Sequence, residues 1–315
     1  MRSEDGEIAD MMCCVSCGTA DVNNIKLKEY NLLDGSAACQ KDHTSQQERD
    51  CESRATEIHD DILFRQPESS HLGECPICLL PLSLDTKHAM MQSCCSKLIC
   101  IGCYCASIRY EVVKVIKRRS CPFCRQPEPE SAAEIEHYKM KRRKANDPVA
   151  IQGAGKRCYH DGDYERAFEY FSKAIAIEAG DAEAEAHYCL SFMYRDGKGI
   201  GRDAQKRLYH LEEAAIGGHT KARHDLGVHE VYQGRIERAA RHFIISANLG
   251  HDASLKALRE LRAAGGVSCD DFATAFRAHQ AAVNATKSRQ RAEAFAIGAI
   301  QIVGKSRRRR EANGK

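Results

Sequence analysis

The sequence predicts a multidomain chain in which a small cysteine-rich module precedes an all-α solenoid of helix pairs. Three observations predict this. At 315 residues the chain exceeds the length at which a single small core usually stops growing. Its 17 cysteines are unevenly placed, fourteen of them up to Cys124 and only Cys158, Cys189 and Cys269 beyond it. After Gly155 small and apolar residues recur with a period of about 36 residues, which is the spacing of a helical-repeat array.

Residues 1–60 are polar and carry Cys13, Cys14, Cys17, Cys39 and Cys51. Met1 to Asp10 is acidic and lacks the apolar core of a secretory signal. Metal thiolates are therefore the expected use of the cysteines, in an intracellular compartment, cytoplasm or nucleus. The apolar run Ala294 to Val303 is about half of what a bilayer span needs, so no membrane segment is expected. A net charge of +3 is too small to imply nucleic-acid binding. The basic clusters Lys139 to Lys144 and Arg307 to Arg310 read as solvated segments or import signals.

Residues 61–71 read as a linker, since the stretch from Gln66 to Gly73 is rich in Pro, Ser and Gly. The module follows over 72–128. It supplies Cys75-x-x-Cys78, the adjacent Cys94 and Cys95, Cys100-x-x-Cys103 and Cys121-x-x-Cys124. Eight thiols in four pairs match two tetrahedral zinc ions, and a C-x-x-C turn lets two thiolates converge on one metal. With four protein ligands each, such sites are structural, and binding supplies on the order of 10 kcal/mol of folding free energy to a domain with little core. If Cys94 and Cys95 cannot both reach one metal, His88 is the nearest upstream substitute; Cys105 reads as a small apolar residue on the following helix. That helix carries Ile108, Val112, Val115 and Ile116 at helical spacing.

In order and gaps the module resembles a RING-type zinc finger of the all-cysteine variety, a small zinc-stabilised α+β fold. The resemblance implies that Cys75, Cys78, Cys100 and Cys103 hold one zinc and Cys94, Cys95, Cys121 and Cys124 the other. It also implies ubiquitin ligation, in which the finger docks a ubiquitin-loaded conjugating enzyme and performs no covalent chemistry itself. No residue then has a catalytic role. Ile77 and Pro122 match the apolar contacts of the enzyme-binding groove, and Arg125 matches its cationic linchpin. Catalysis would be orientation of the thioester.

Residues 129–146 turn acidic and then basic and read as a charged linker, and 147–287 as the helical repeats. In the clearest unit Tyr194, Gly197, Gly199, Asp203, Tyr209, Ala214, Ala215 and Gly218 stand at the spacing of the Sel-one-like repeat. The preceding unit, with GDYERAFEYFSKAIAIEAG, resembles a tetratricopeptide unit. A fourth unit, His251 to Asn284, has drifted and would cap the stack. The resemblance implies a surface for a protein partner or substrate. Residues 288–315 read as a basic, disordered tail.

At the other end, Cys14, Cys17, Cys39 and Cys51, with CQKDH at Cys39 to His43, resemble a degenerate MYND-like zinc finger. It lacks the middle C-x-x-C and has Gln47 where a histidine is expected. At most one further zinc is implied, on Cys14, Cys17 and Cys39 with Cys13, His43 or Cys51. Two functions follow: a RING-type ubiquitin ligase that selects substrates through its repeats, or a non-catalytic zinc-dependent scaffold. The string AIQIVGKS at Ala299 to Ser306 matches a phosphate-binding loop in letters only, because too little chain follows it for a nucleotide fold.

Overall fold

The computed structural model describes residues 45–113, 119–177 and 180–296, with side chains described over 54–109, 119–177 and 182–296. The chain divides into two compact units, Met1–Leu63 and Phe64–Lys315. The described part of the first is one helix, α1 (Ser45–Leu63). Cys14, Cys17 and Cys39, and the side chain of Cys51, lie outside the described residues.

The second unit opens with an irregular segment, 64–73, and then folds around the cysteines. Strands β1 (Ala89–Met91) and β2 (Leu98–Cys100) pair antiparallel with Met90 opposite Ile99. β2 runs directly into α2 (Ile101–Val113). Besides cysteines, Leu82 and Ile99 are the buried apolar side chains of this core. Ile108 is half-buried on α2, whereas Val115 and Ile116 lie outside the described residues.

Much of the stretch read as a charged linker is helical, as α3 (Ala132–Lys144). Ser131 caps it by accepting from the Glu134 amide, and the Glu134 carboxylate accepts from the Glu130 amide. Lys141 to Lys144 of the basic cluster fall in the last turn of α3, where the helix dipole favours cations. Two of its charges are engaged, Arg142 with Asp147 and Arg143 with Glu136. Asp147 in turn caps the next helix, which has Pro148 in its first turn.

Four helix pairs follow: α4 (Pro148–His160) with α5 (Tyr164–Ala176), α6 (Gly180–Asp196) with α7 (Ala204–Ile216), α8 (Thr220–Tyr232) with α9 (Ile236–Asn248), and α10 (Asp252–Ala263) with α11 (Cys269–Ala285). Each pair packs on the next, because one pair alone cannot bury its apolar stripe. Ile151 of α4, Phe171 of α5 and Leu190 and Met193 of α6 share one core. Phe243 of α9, Leu255 and Leu258 of α10 and Ala275 of α11 share another. The period is visible in the packing: Phe171 lies against Gly155 and Phe243 against Gly227, where an added Cβ would come within 2.7 and 2.6 Å of the ring.

Two stretches differ from the sequence reading. Residues 289–296, placed there in a disordered tail, form a further helical segment with Arg291 and Ala294 buried. Segment 64–73, placed largely in a linker, lies on the repeats: the His71 amide donates to the Gly218 carbonyl, and the Phe64 ring lies tilted against buried His242, centroids 4.6 Å apart. Gly218 has φ +78, and an added Cβ would sit 2.8 Å from the Ser69 carbonyl oxygen, so only glycine fits beneath the segment. Both stretches are held by partners remote in sequence, which no local pattern announces. No helix among the described residues is long and apolar enough to cross a membrane.

Candidate metal centres

Three of the four cysteine pairs sit on copies of one turn. In the first, the Cys75 amide donates to the Leu80 carbonyl and the Leu79 amide to the Cys75 carbonyl, at 3.0 and 2.9 Å. In the last, the Cys121 amide donates to Gln126 and the Arg125 amide to Cys121, at 2.7 and 2.9 Å. The middle turn repeats this with Gln92 donating to Lys97 and Ser96 to Gln92, at 2.9 and 2.8 Å. Each turn puts its fifth residue in the left-handed region: Leu79 (φ 56), Ser96 (φ 55) and Arg125 (φ 61).

The comparison explains the adjacent cysteines. In the first and last turns the thiols stand at positions one and four. In the middle turn Cys95 holds position four, position one is Gln92, 7% exposed, and the second thiol comes from Cys94 at position three. The remaining pair straddles the end of β2, with Cys100 closing the strand and Cys103 in the first turn of α2.

The thiols gather in two groups of four, Cys75, Cys78, Cys100 and Cys103 in one and Cys94, Cys95, Cys121 and Cys124 in the other, each with its Sγ atoms within 4.8 Å of one another. The pairs interleave, first with third and second with fourth. His88 belongs to neither group; its ring stacks on Phe295 at 4.4 Å.

Whether these thiols suit a metal is decided by distance, strain and charge. A tetrahedral ion with Zn–S bonds of about 2.3 Å sets its sulfurs about 3.8 Å apart. Cys78 and Cys100 lie 3.8 Å apart, Cys95 and Cys121 3.9 Å, and Cys94 and Cys124 3.3 Å. All are far beyond a disulfide bond, and all eight cysteines are free. Three non-glycine residues in the left-handed region are costly and persist only where their surroundings over-determine them. A core of Leu82 and Ile99 cannot do that alone, whereas bonds to a shared ion can. Burial pushes the Cys100 and Cys103 thiols up, and Cys95 to about 11, and it outweighs the Arg291 charge near Cys100 and the Lys97 amide at Cys95. A divalent cation offsets the thiolate charge. At Cys78 burial also pushes upward, but the Leu80 amide and the Arg291 guanidinium reverse it and bring the thiol down to about 7. Two four-thiol sites that could hold metal ions are thus present.

On the surface of the module Ile77 is 41% exposed in the first turn, Arg125 is exposed in the last, and Pro122 is half-buried in the same turn. Sequence reasoning missed their neighbours Leu79, 68% exposed, and Phe123, 43% exposed. Both were legible as apolar residues beside a cysteine.

A third cluster, His71, Glu185 and His219, also gathers three ligand types within 4.8 Å. Its hydrogen bonds argue against a metal. His219 caps α8 by accepting from the Ala222 amide at Nδ1, so its Nε2 carries the proton that it donates to Glu185 at 3.2 Å. Burial pushes the Glu185 carboxyl up, but the His219 and His71 hydrogen bonds and the Lys156 charge outweigh it and hold the group far below the usual carboxylate range. The cluster is a buried charge network that fastens segment 64–73 to α6 and α8.

No family model matches the chain, and no curated protein matches it. Among solved structures the chain is similar to a Sel1 repeat protein from Oxalobacter formigenes, known from its crystal structure, at 18% identity and a TM-score of 0.39, over 55% of this chain and 70% of that one.

Proposed function

We propose that residues 72–128 are a RING-type finger that holds two zinc ions and acts as a docking module, with the helical repeats carrying a protein partner. The observation that carries this reading is the interleaving of the thiol pairs. An arrangement in which Cys75 and Cys78 share an ion with Cys100 and Cys103, while Cys94 and Cys95 share one with Cys121 and Cys124, ties two loops into one rigid surface. Zinc bound there supplies structure, because four thiolates fill the tetrahedron and leave no place for a reactive water.

The finer reading is a ubiquitin ligase. Ile77, Pro122 and Arg125 would meet a ubiquitin-loaded conjugating enzyme, the first two by apolar contact and the third by hydrogen bonds that fix the thioester for attack. Exposure of Ile77 and Arg125 on two equivalent turns supports it. The chain would contribute orientation, not a nucleophile or base. A non-catalytic scaffold is the second reading. It is favoured by segment 64–73 and helix 289–296, which hold the module against the repeats instead of leaving it on a flexible tether.

Autoubiquitination with a panel of conjugating enzymes separates the two. Activity that disappears with Ile77→Ala and falls with Arg125→Ala is the outcome expected of a ligase. Inactivity with every enzyme, in protein carrying two zinc ions by native mass spectrometry, selects the scaffold.

A further inference from the structure

Arg291 follows the last repeat helix, yet it is only 6% exposed. Its guanidinium is spent on the first cysteine turn and on its own chain. Nη1 donates to the Pro81 and Thr286 carbonyls at 2.6 and 2.7 Å, and Nη2 donates to the Leu80 carbonyl at 3.0 Å and to Cys78 Sγ at 3.3 Å. The neighbouring Gln290 donates to the Gly102 carbonyl at 3.3 Å. Gly102 lies between Cys100 and Cys103, and an added Cβ there would stand 3.0 Å from both the backbone nitrogen and Cγ of Arg291. One helix thus grips both halves of the first thiol group, the Cys75–Leu80 turn and the Cys100–Cys103 turn.

A buried guanidinium needs an opposing charge, and the carbonyls around it are only dipoles. Among the described residues no carboxylate is in ion-pair contact with Arg291. The charge it faces is that of the thiol group. A divalent ion on four thiolates leaves a net charge of about minus two, and a guanidinium hydrogen-bonded to one of the sulfurs offsets part of it.

We propose that Arg291 is the outer-sphere partner of the first zinc site, and that helix 289–296 is a latch that closes on the module when that site is loaded. The proposal rests on the zinc reading above. Coupling of this kind is reciprocal: the ion holds the latch, and the latch holds the ion.

Full-length protein tests it, beginning with native mass spectrometry. Wild-type protein without two zinc ions would end the zinc reading itself, whatever the latch does. With two ions present, a chromogenic chelator should remove one of them about ten- to a hundredfold faster from Arg291→Met than from wild type, and the other at an unchanged rate. Gly102→Val, which keeps every thiol and the guanidinium but blocks the approach of the helix, should give the same selective loss. Arg291→Lys, with the charge but not the fork, should fall between and serves if the Met variant does not fold. Hydrogen exchange in 289–296 should speed up in zinc-stripped wild type, a response that a merely structural arginine would not give. Unchanged release of both ions from the Arg291 variants, or equal protection of 289–296 with and without zinc, would overturn the latch while leaving the zinc assignment standing.

Discussion

The Nδ1 atoms of buried His187, on α6, and half-buried His210, on α7, lie 2.9 Å apart, so the two rings share one proton between them. Burial lowers both proton affinities, to about 3 for His187, where the charge on His210 adds to it, and to about 4 for His210, where Lys206 adds to it. Burial likewise brings His219 and His251 to about 4. The unfolded chain, with histidines near about 6.5, binds more protons than the folded one below that pH. These residues therefore stabilise the fold fully above about 6.5 and progressively less as the pH falls towards 4. Thermal melts followed by far-UV circular dichroism should show Tm falling steeply from pH 6.5 to 4.5, and less steeply in His210→Gln. A flat Tm over that range would show that the rings are not held neutral.

Metal removal should separate the module from the repeats. Replacing Cys100 or Cys121 by Ser should cost one ion each in native mass spectrometry of the full chain. A strong chelator should abolish near-UV signals from the module while most far-UV helical signal survives, because the cores around Phe171 and Phe243 need no metal. Loss of the helical signal together with the metal would contradict this.

The middle turn allows a sharper test. Cys94→Ser should leave the second site one thiolate short. Adding Gln92→Cys restores positions one and four, the spacing of the two other turns, and the double variant should recover its second ion. Failure of the double variant alone would mean that position one of this turn does not aim at the metal.

Phe64 lies against His242 with the Arg241 guanidinium 3.7 Å from its ring centre. Phe64→Ala removes a half-buried aromatic and two cation–π contacts, with Arg241 and Arg238, and should cost about 1–2 kcal/mol. Hydrogen exchange should quicken over 64–71 with zinc content unchanged. If exchange there matches wild type, the segment is held by His71 and not by its aromatic end.

What the sequence made legible is what repeats or counts. Eight thiols in pairs declare themselves because metal geometry demands close spacing, and the glycines and alanines from Gly197 to Gly218 declare the helix pairs because turns and close helix approach demand small residues at fixed spacing. Arg291 was hidden. Its partners lie at Cys78, Leu80 and Pro81, far along the chain, and an arginine in a basic stretch looks like any solvated charge. His71 was hidden for the same reason, in a stretch whose Pro and Ser content suggests a linker. The role of Gln92 could not be read either, because only the backbone bonds of three turns, set side by side, reveal it.

Repeat arrays ordinarily change length with ease, since a duplicated helix pair simply extends an open stack. Here the far end of the stack returns to the module that precedes it. Segment 64–73 fastens the module to α6, α8 and α9 at one end of the circuit, and Arg291 fastens the far end of the array back to the Cys75–Leu80 turn. Inserting or deleting one helix pair between α9 and Arg291 would carry Arg291 off its sulfur. Closure thus constrains the number of pairs between the segment 64–73 anchor and Arg291, which an open array leaves free.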